Sequence, residues 1–313
     1  EVDEGDPFNE ILLTKSINNL KSLNFFKNVE KEIIENNDNK TKIINISIEE
    51  KPTGEISASA GLGTEGGSIG FGIKENNFLG NGIKLDTNFS LTSETFRGKF
   101  SIINPNFKNS DKSINLSIEA IETDNFKTTG YKTKKTGVSL GTNFEYLDDL
   151  FIGLGNSNFY EKIETNDTAS ARQKTQEGNY WDTFLNLDFD YDKRNQKFET
   201  TGGFRSYFST DLPLISDTNT LSNTFNYKYY TELYENNVST ASFMLRAANS
   251  ISGDNIKLSE RLFIPSYRLR GFENGKIGPK DGNDYIGGNF LSAINFTSTV
   301  PQILSNYQNM DIV

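Results

Sequence analysis

Apolar and polar residues alternate along most of the chain, from the middle fifties to its end. The longest such register places apolar or aromatic side chains at most alternate positions from Trp181 to Tyr191, with Asp182, Asp188 and Asp190 between them. Successive side chains of a β-strand point to opposite faces of a sheet. The period of two therefore predicts strands with one apolar face and one polar face.

About twelve strands of roughly 9–12 residues follow from this pattern, and residues 309–313 read as the start of another. Short glycine turns alternate with longer polar loops such as residues 165–179. Long strands with charges on one face, aromatic residues near their ends and unequal loops are typical of an outer-membrane barrel. A soluble β-sandwich also alternates, but its strands are shorter and fewer. The predicted fold class is mainly β, a transmembrane antiparallel β-barrel. Its strands are expected at 56–62, 69–73, 83–91, 96–102, 114–120, 138–144, 151–160, 181–191, 203–208, 225–233, 241–247 and 290–296.

The first fifty residues differ from the rest. Residues 8–26 have apolar side chains at helical spacing, which predicts a helix, and two strands are expected at 25–34 and 42–50. Lys51-Pro52-Thr53-Gly54 then breaks the pattern. We therefore divide the chain into an α+β segment, 1–51, and a barrel, 52–313.

The composition of the chain excludes several classes of function. The formal net charge is −10, from 32 basic and 42 acidic residues, so nucleic acid is not an expected partner. Histidine and cysteine are absent, which removes the commonest general base, metal ligands and thiol nucleophile. We predict no enzyme activity, no catalytic residue, no cofactor and no metal. Gly61–Gly66 matches G-x-G-x-x-G, but an alternating segment follows it instead of the helix that a nucleotide site requires.

Aspartates at positions 182, 188, 190 and 192 are candidates for paired carboxylates or a calcium site. On an alternating strand these even-numbered residues share the polar face. We interpret them as a solvated face rather than a catalytic or metal site.

A loop rich in glycine, SYRLRGFENGKIGPK at residues 266–280, separates two predicted strands, and Gly287-Gly288-Asn289 opens the second. Glycine and proline in this density indicate turns of fixed geometry. The candidate loop motif comprises Arg270, Gly271, Phe272, Ile277, Gly278 and Pro279.

This loop, together with the opening hairpin GLGTEGGSIGFGIKENNFLGNG at residues 61–82, resembles the BamA family of outer-membrane barrel-assembly factors. The helix, strand, turn and strand of residues 8–50 resemble the second half of a POTRA module, the periplasmic βααββ unit of the same superfamily. The resemblance implies that about 12–13 of the family's sixteen strands are present and that the chain is truncated at both ends.

The resemblance implies further that the loop folds into the barrel lumen and that Arg270 pairs with acidic residues there. One family partner position corresponds to Asn295, and the other lies beyond Val313. The family inserts β-barrel proteins into the outer membrane without nucleotide, through a lateral gate at the first barrel strand. The gate residues would be Ile56, Ser57, Ala58, Ser59, Ala60, Gly61, Leu62 and Gly63.

Expected partners are unfolded outer-membrane β-barrel clients, periplasmic accessory lipoproteins of the assembly complex and outer-membrane lipids. The expected location is the outer membrane of a Gram-negative bacterium, with the POTRA segment in the periplasm. The alternatives are a two-partner-type exporter or a translocation-assembly sibling and, from another class, a passive porin-like channel. A membrane enzyme has no histidine, cysteine or serine motif to support it.

Overall fold

The computed structural model describes residues 4–23, 25–36, 41–63, 66–127, 130–196, 200–234, 237–253, 255–273, 275–282 and 284–299. Its N-terminal part consists of helix α1 (Glu10–Ser22) and an antiparallel hairpin, β1 (Phe26–Asn36) and β2 (Thr41–Glu50). The Asn9 side-chain oxygen begins the helix by accepting hydrogen bonds from the backbone of Ile11 and Leu12, at 2.9 and 3.2 Å.

Leu13 and Ile17 on one face of α1 pack against Val29 of β1 and form a small apolar core. The helix predicted over 8–26 is too long at its C-terminal end, because Phe26 already pairs with Glu50 in the hairpin. Backbone pairing with β2 therefore overrides the helical spacing there. Among the described residues, no helix is long and apolar enough to cross a membrane.

A single antiparallel sheet of twelve strands forms the rest of the described chain. Each of the twelve strands predicted from alternation overlaps one of its strands. The predicted length of roughly 9–12 residues is too short for several of them, since Tyr131–Leu147 has 17 residues and Leu150–Thr165 has 16. The strand expected at 309–313 lies outside the described residues. The strands and intervening elements are β3 (Gly54–Gly63), β4 (Gly66–Phe78), β5 (Ile83–Thr92), β6 (Thr95–Asn104), β7 (Lys112–Asn125), β8 (Tyr131–Leu147), β9 (Leu150–Thr165), α2 (Ala171–Lys174), β10 (Gly178–Asp192), β11 (Gly203–Ser216), β12 (Thr220–Tyr234), β13 (Asn237–Ser250), the two-residue pair β14 (Lys280–Asp281) and β15 (Asp284–Tyr285), and β16 (Phe290–Ser298).

The strands follow one another in chain order from β3 to β13, and β16 pairs with β13. Over the described residues, β3 and β16 each have one neighbour, so the sheet has two edges and is not closed into a ring. An edge strand carries backbone N–H and C=O groups that are free to pair with another strand.

The two faces of the sheet differ in the way that the sequence predicts. One face exposes large apolar side chains across the whole sheet, for example Phe71, Phe89, Ile118 and Phe296. The other face carries polar side chains such as Lys135, Asp188 and Tyr207, which line a cavity of about 510 Å³. We call this second face the inner face.

The connection between β13 and β16, residues 251–289, covers part of the inner face; we call it the long loop. Ile256 and Leu262 of this loop are buried against Met244 and Ala248 of β13 and Leu291 of β16. Apolar residues on the polar face of these two strands are thus explained by the loop that packs on them.

Candidate functional site

Two regions contain the residues singled out from the sequence: the long loop and the edge strand β3. Glycine fixes the path of the loop at two points. Gly271 has a φ of +83° and Gly287 a φ of +72°. A Cβ atom at Gly287 would lie 2.8 Å from the ring of Phe263, so a side chain there would collide with the loop itself.

Arg270, the predicted anchor of the loop, is exposed, and Phe272 is 61% exposed. The arginine that contacts the inner face is Arg268. Its guanidinium donates hydrogen bonds to Ser242 Oγ at 2.6 Å and to Asn295 Oδ1 at 3.2 Å. The Asn295 amide returns a hydrogen bond to the Arg268 carbonyl oxygen at 2.7 Å. The structure therefore brings Asn295 to the loop, but to Arg268 and not to Arg270.

The remaining motif residues lie on the surface of the loop. Gly278 and Pro279 are exposed and Ile277 is half-buried. The Pro279 carbonyl oxygen accepts a hydrogen bond from the Ile286 backbone at 3.0 Å, which closes the small β14–β15 turn.

Lys257, which the sequence analysis did not single out, makes the most buried charged contact of the loop. Its side chain is 1% exposed. The ammonium lies 3.0 Å from Glu161 Oε2 of β9 and 3.5 Å from Glu260 Oε1, and it donates a hydrogen bond to Asp182 of β10. The ring of Tyr180 lies beneath it, 5.1 Å from Nζ to the centroid.

Charge balance determines how these groups ionise. Burial by itself would lower the pKa of Lys257, but Glu260, Glu161 and Asp182 outweigh it and raise this pKa above the ordinary value of 10.5. Burial raises the pKa of Glu260 above its ordinary 4.5, and Lys257 opposes that shift only in part. One lysine thus faces three carboxyl groups, and burial disfavours the ionisation of Glu260, which lies in the long loop.

Asp182 was interpreted from the sequence as part of a solvated face, and that interpretation is wrong for this residue. Asp182 is fully buried, because the long loop covers it and Lys257 and Ser216 donate hydrogen bonds to it. Alternation along a strand tells which face a side chain occupies, but not what packs over that face. A lone lysine in an apolar stretch, Ile256-Lys257-Leu258, was the available signal.

The loop between β9 and β10 supports the same region. Gln176 donates a hydrogen bond to the Ile256 carbonyl oxygen at 3.2 Å and accepts one from the Leu258 backbone at 2.8 Å. Arg172 on α2 contacts Asn255 at 2.7 Å. Both sides of Lys257 are therefore held by a second loop.

Strand β3 has small side chains at its centre. Ala58 and Ala60 lie on the apolar face, opposite Phe71 and Ile69 of β4. On the inner face a Cβ atom at Gly70 would lie 2.5 Å from the Ser59 hydroxyl, so a side chain there would require that hydroxyl to move. Ile56 and Leu62 also point to the apolar face and are exposed, Leu62 to 95%. Between them, Ala58 and Ala60 offer little side-chain packing to a neighbouring strand.

Residues 61–66 lead into strand β4 rather than a helix, so the backbone has no helix N-terminus for a pyrophosphate group. In the part of the chain that the structure describes, no group of three side chains of ligand type is placed to hold a metal ion.

Comparison with known proteins identifies the family. The Omp85 superfamily domain matches residues 77–311, which is most of the chain. The chain belongs to the Omp85 superfamily.

Within that superfamily the chain is similar to BamA. It is 25% identical over 301 residues to the outer membrane protein assembly factor BamA of Neorickettsia risticii (strain Illinois), covering 93% of this chain and 40% of that protein. Its fold matches the crystal structure of BamA from Haemophilus ducreyi lacking POTRA domains 1–3, with a TM-score of 0.80, 22% identity, and coverage of 98% of this chain and 64% of that chain. CdiB from Acinetobacter baumannii matches at a TM-score of 0.58 and 13% identity, over 97% of this chain and 57% of that chain. The chain thus spans less than two thirds of each of these relatives.

Proposed function

We propose that this chain is the barrel, with part of the last periplasmic module, of a factor that inserts β-barrel proteins into the bacterial outer membrane. Assembly of outer-membrane proteins is the function named for the Neorickettsia relative. The observation that carries the proposal is strand β3, which has one neighbour among the described residues and whose central outward side chains, Ala58 and Ala60, are small.

The mechanism follows from the chemistry of an edge. In the full barrel, as the resemblance implies, β3 pairs weakly with the last strand and parts from it. Backbone groups freed in this way cannot remain unsatisfied within the lipid, so an incoming client strand gains by pairing with β3. Burial of the client's apolar face in the membrane then drives insertion, and no nucleotide is needed. The gate comprises residues Ile56 to Gly63, as the resemblance to the BamA family implies. Its short outward side chains at Ala58 and Ala60 thin the adjacent bilayer and lower the barrier to insertion.

The division into residues 1–51 and 52–313 belongs to this proposal. Helix α1 with β1 and β2 forms the second half of a POTRA module in the periplasm, and the large sheet forms twelve of the barrel strands in the outer membrane. Unfolded clients, accessory lipoproteins that bind the periplasmic modules, and outer-membrane lipids are the partners.

The alternative is export of a partner protein through the barrel, for which the CdiB likeness is the supporting observation. That likeness has a lower TM-score and identity than the likeness to BamA. A passive pore is the alternative of another class, and the segment before β3 counts against it because simple porins lack such a module.

The proposal is tested with the chain extended to its natural ends and reconstituted in liposomes, by timing the folding of an unfolded barrel client. The double variant Ala58→Leu/Ala60→Leu, which widens the apolar band at the gate, should slow client folding. The matched control is Ala241→Leu/Ala247→Leu, because these alanines share the apolar face but lie on β13, which pairs on both sides. Equal client folding rates in both variants would count against the gate. If the unsubstituted protein does not accelerate folding but passes ions or a partner protein, the pore or exporter alternative holds.

A further inference from the structure

The long loop leaves β13 at Ser250 and returns at Phe290 to the strand next to it. Its covalent ends therefore hold it only at one side of the described sheet. The contacts of Lys257 lie elsewhere, on β9 and β10. In the sheet order, β11 and β12 separate those two strands from β13. The lysine thus fixes the loop several strands away from where it is attached.

A second contact fixes the loop near its origin. Arg268 is hydrogen-bonded to Ser242 of β13 and Asn295 of β16. The segment 257–268 between the two contacts therefore spans the inner face as a strap. The strap joins the middle of the sheet to β16, the edge opposite β3.

The two contacts differ in strength. Arg268 is half-buried, and its acceptors among the described residues, Ser242 and Asn295, are neutral. Lys257 is 1% exposed, and so are Glu161 and Asp182. Withdrawing the lysine would leave buried carboxylates without a counter-charge, which is far more costly than losing an exposed ion pair.

We propose that Lys257 is the positioning residue that latches the long loop across the inner face, and that client insertion depends on this latch. The role in insertion rests on the proposed function above; the latch itself does not.

Two measurements on the full-length protein test the two parts. Residues 1–313 contain no cysteine. With any cysteine elsewhere in the full-length protein replaced by serine, Arg172→Cys/Asn255→Cys introduces one pair, at side chains that now contact each other. A short bifunctional thiol reagent then reports whether the loop is in place. With this pair as background, Lys257→Met should lower the cross-linking rate by at least about tenfold. Lys276→Met is the matched control, because this lysine lies in the same loop but its ion pair with Glu273 is exposed.

The second measurement is the client folding rate in liposomes. Lys257→Met should slow it, Lys276→Met should not, and prior cross-linking of the loop in the Lys257→Met protein should restore the rate. Rescue by the tether separates positioning from a general loss of stability. If Lys257→Met does not fold, Lys257→Met/Glu161→Gln/Asp182→Asn removes the lysine together with the two most buried of its three carboxylate partners, and still lacks the latch.

An unchanged cross-linking rate in both latch variants would overturn the latch. A slower cross-linking rate with normal client folding would overturn its role in insertion and leave the proposed function intact. If the unsubstituted protein does not accelerate client folding, the proposed function fails, and the cross-linking rate still decides the latch because it needs no client.

Discussion

Replacing Lys257 with methionine should cost more stability than any other single change of charge in the long loop. Methionine fills most of the lysine's volume, so the loss is mainly electrostatic. Glu161 and Asp182, each 1% exposed in their side chains, lose their counter-charge while remaining buried. Breaking a buried ion pair by removing one partner costs about 3–5 kcal/mol, because the other charge is left without compensation.

The matched substitutions predict the pattern of free energies. Lys276→Met, which breaks an exposed ion pair of 2.6 Å with Glu273, should change the free energy of unfolding by about 0–1 kcal/mol. Lys257→Met/Glu161→Gln/Asp182→Asn should recover most of the loss, because buried ion pairs replaced by neutral groups are often close to neutral in stability.

The assay is equilibrium unfolding in urea of the protein reconstituted in lipid vesicles. It is followed by the fluorescence of Trp181, the single tryptophan of residues 1–313, which lies next to Asp182. A loss below about 1 kcal/mol for Lys257→Met would refute the reasoning. So would a triple variant as unstable as the single one, since the penalty would then not arise from unpaired charge.

Two further predictions concern the loop. Arg268→Met should cost about 1.5–3 kcal/mol in the same assay, because it removes charged hydrogen bonds to Ser242 and Asn295. A loss below about 0.5 kcal/mol, the usual range for a surface substitution, would contradict this contact. The raised pKa of Glu260 means that the folded protein binds this proton more tightly than the unfolded chain does. Its contribution to stability is therefore fully present below the ordinary pKa of 4.5 and is lost as the pH rises through the folded value. Amide hydrogen exchange of the loop should accordingly slow as the pH is lowered toward about 5, after correction for intrinsic exchange rates, and Glu260→Gln should flatten this dependence; a wild-type slope retained in Glu260→Gln would assign it to another group.

The positions of the strands can be predicted from local sequence patterns. Each strand of the large sheet overlaps a predicted one, because alternation of apolar and polar side chains is a property of neighbouring residues. The end of α1 was misplaced, since pairing of Phe26 with Glu50 depends on a residue 24 positions away. Local spacing carries no information about that contact.

The loop contacts were harder to predict for the same reason. Lys257 meets Glu161 and Asp182, which lie 96 and 75 positions earlier in the chain. The resemblance implied a role for this loop and for Asn295. In the structure Asn295 contacts Arg268, and the pairing of Arg270 stays a prediction.

The central claim is that client strands are accepted at β3, and a reversible lock on that strand tests it most directly. With the chain extended to its natural C-terminus, a disulfide joins a cysteine introduced into residues 54–63 to another in the last barrel strand. Client folding in liposomes is timed before and after reduction. The account predicts that the acceleration of client folding is absent in the oxidised protein and returns on reduction. Equal acceleration in both states would contradict a gate at β3.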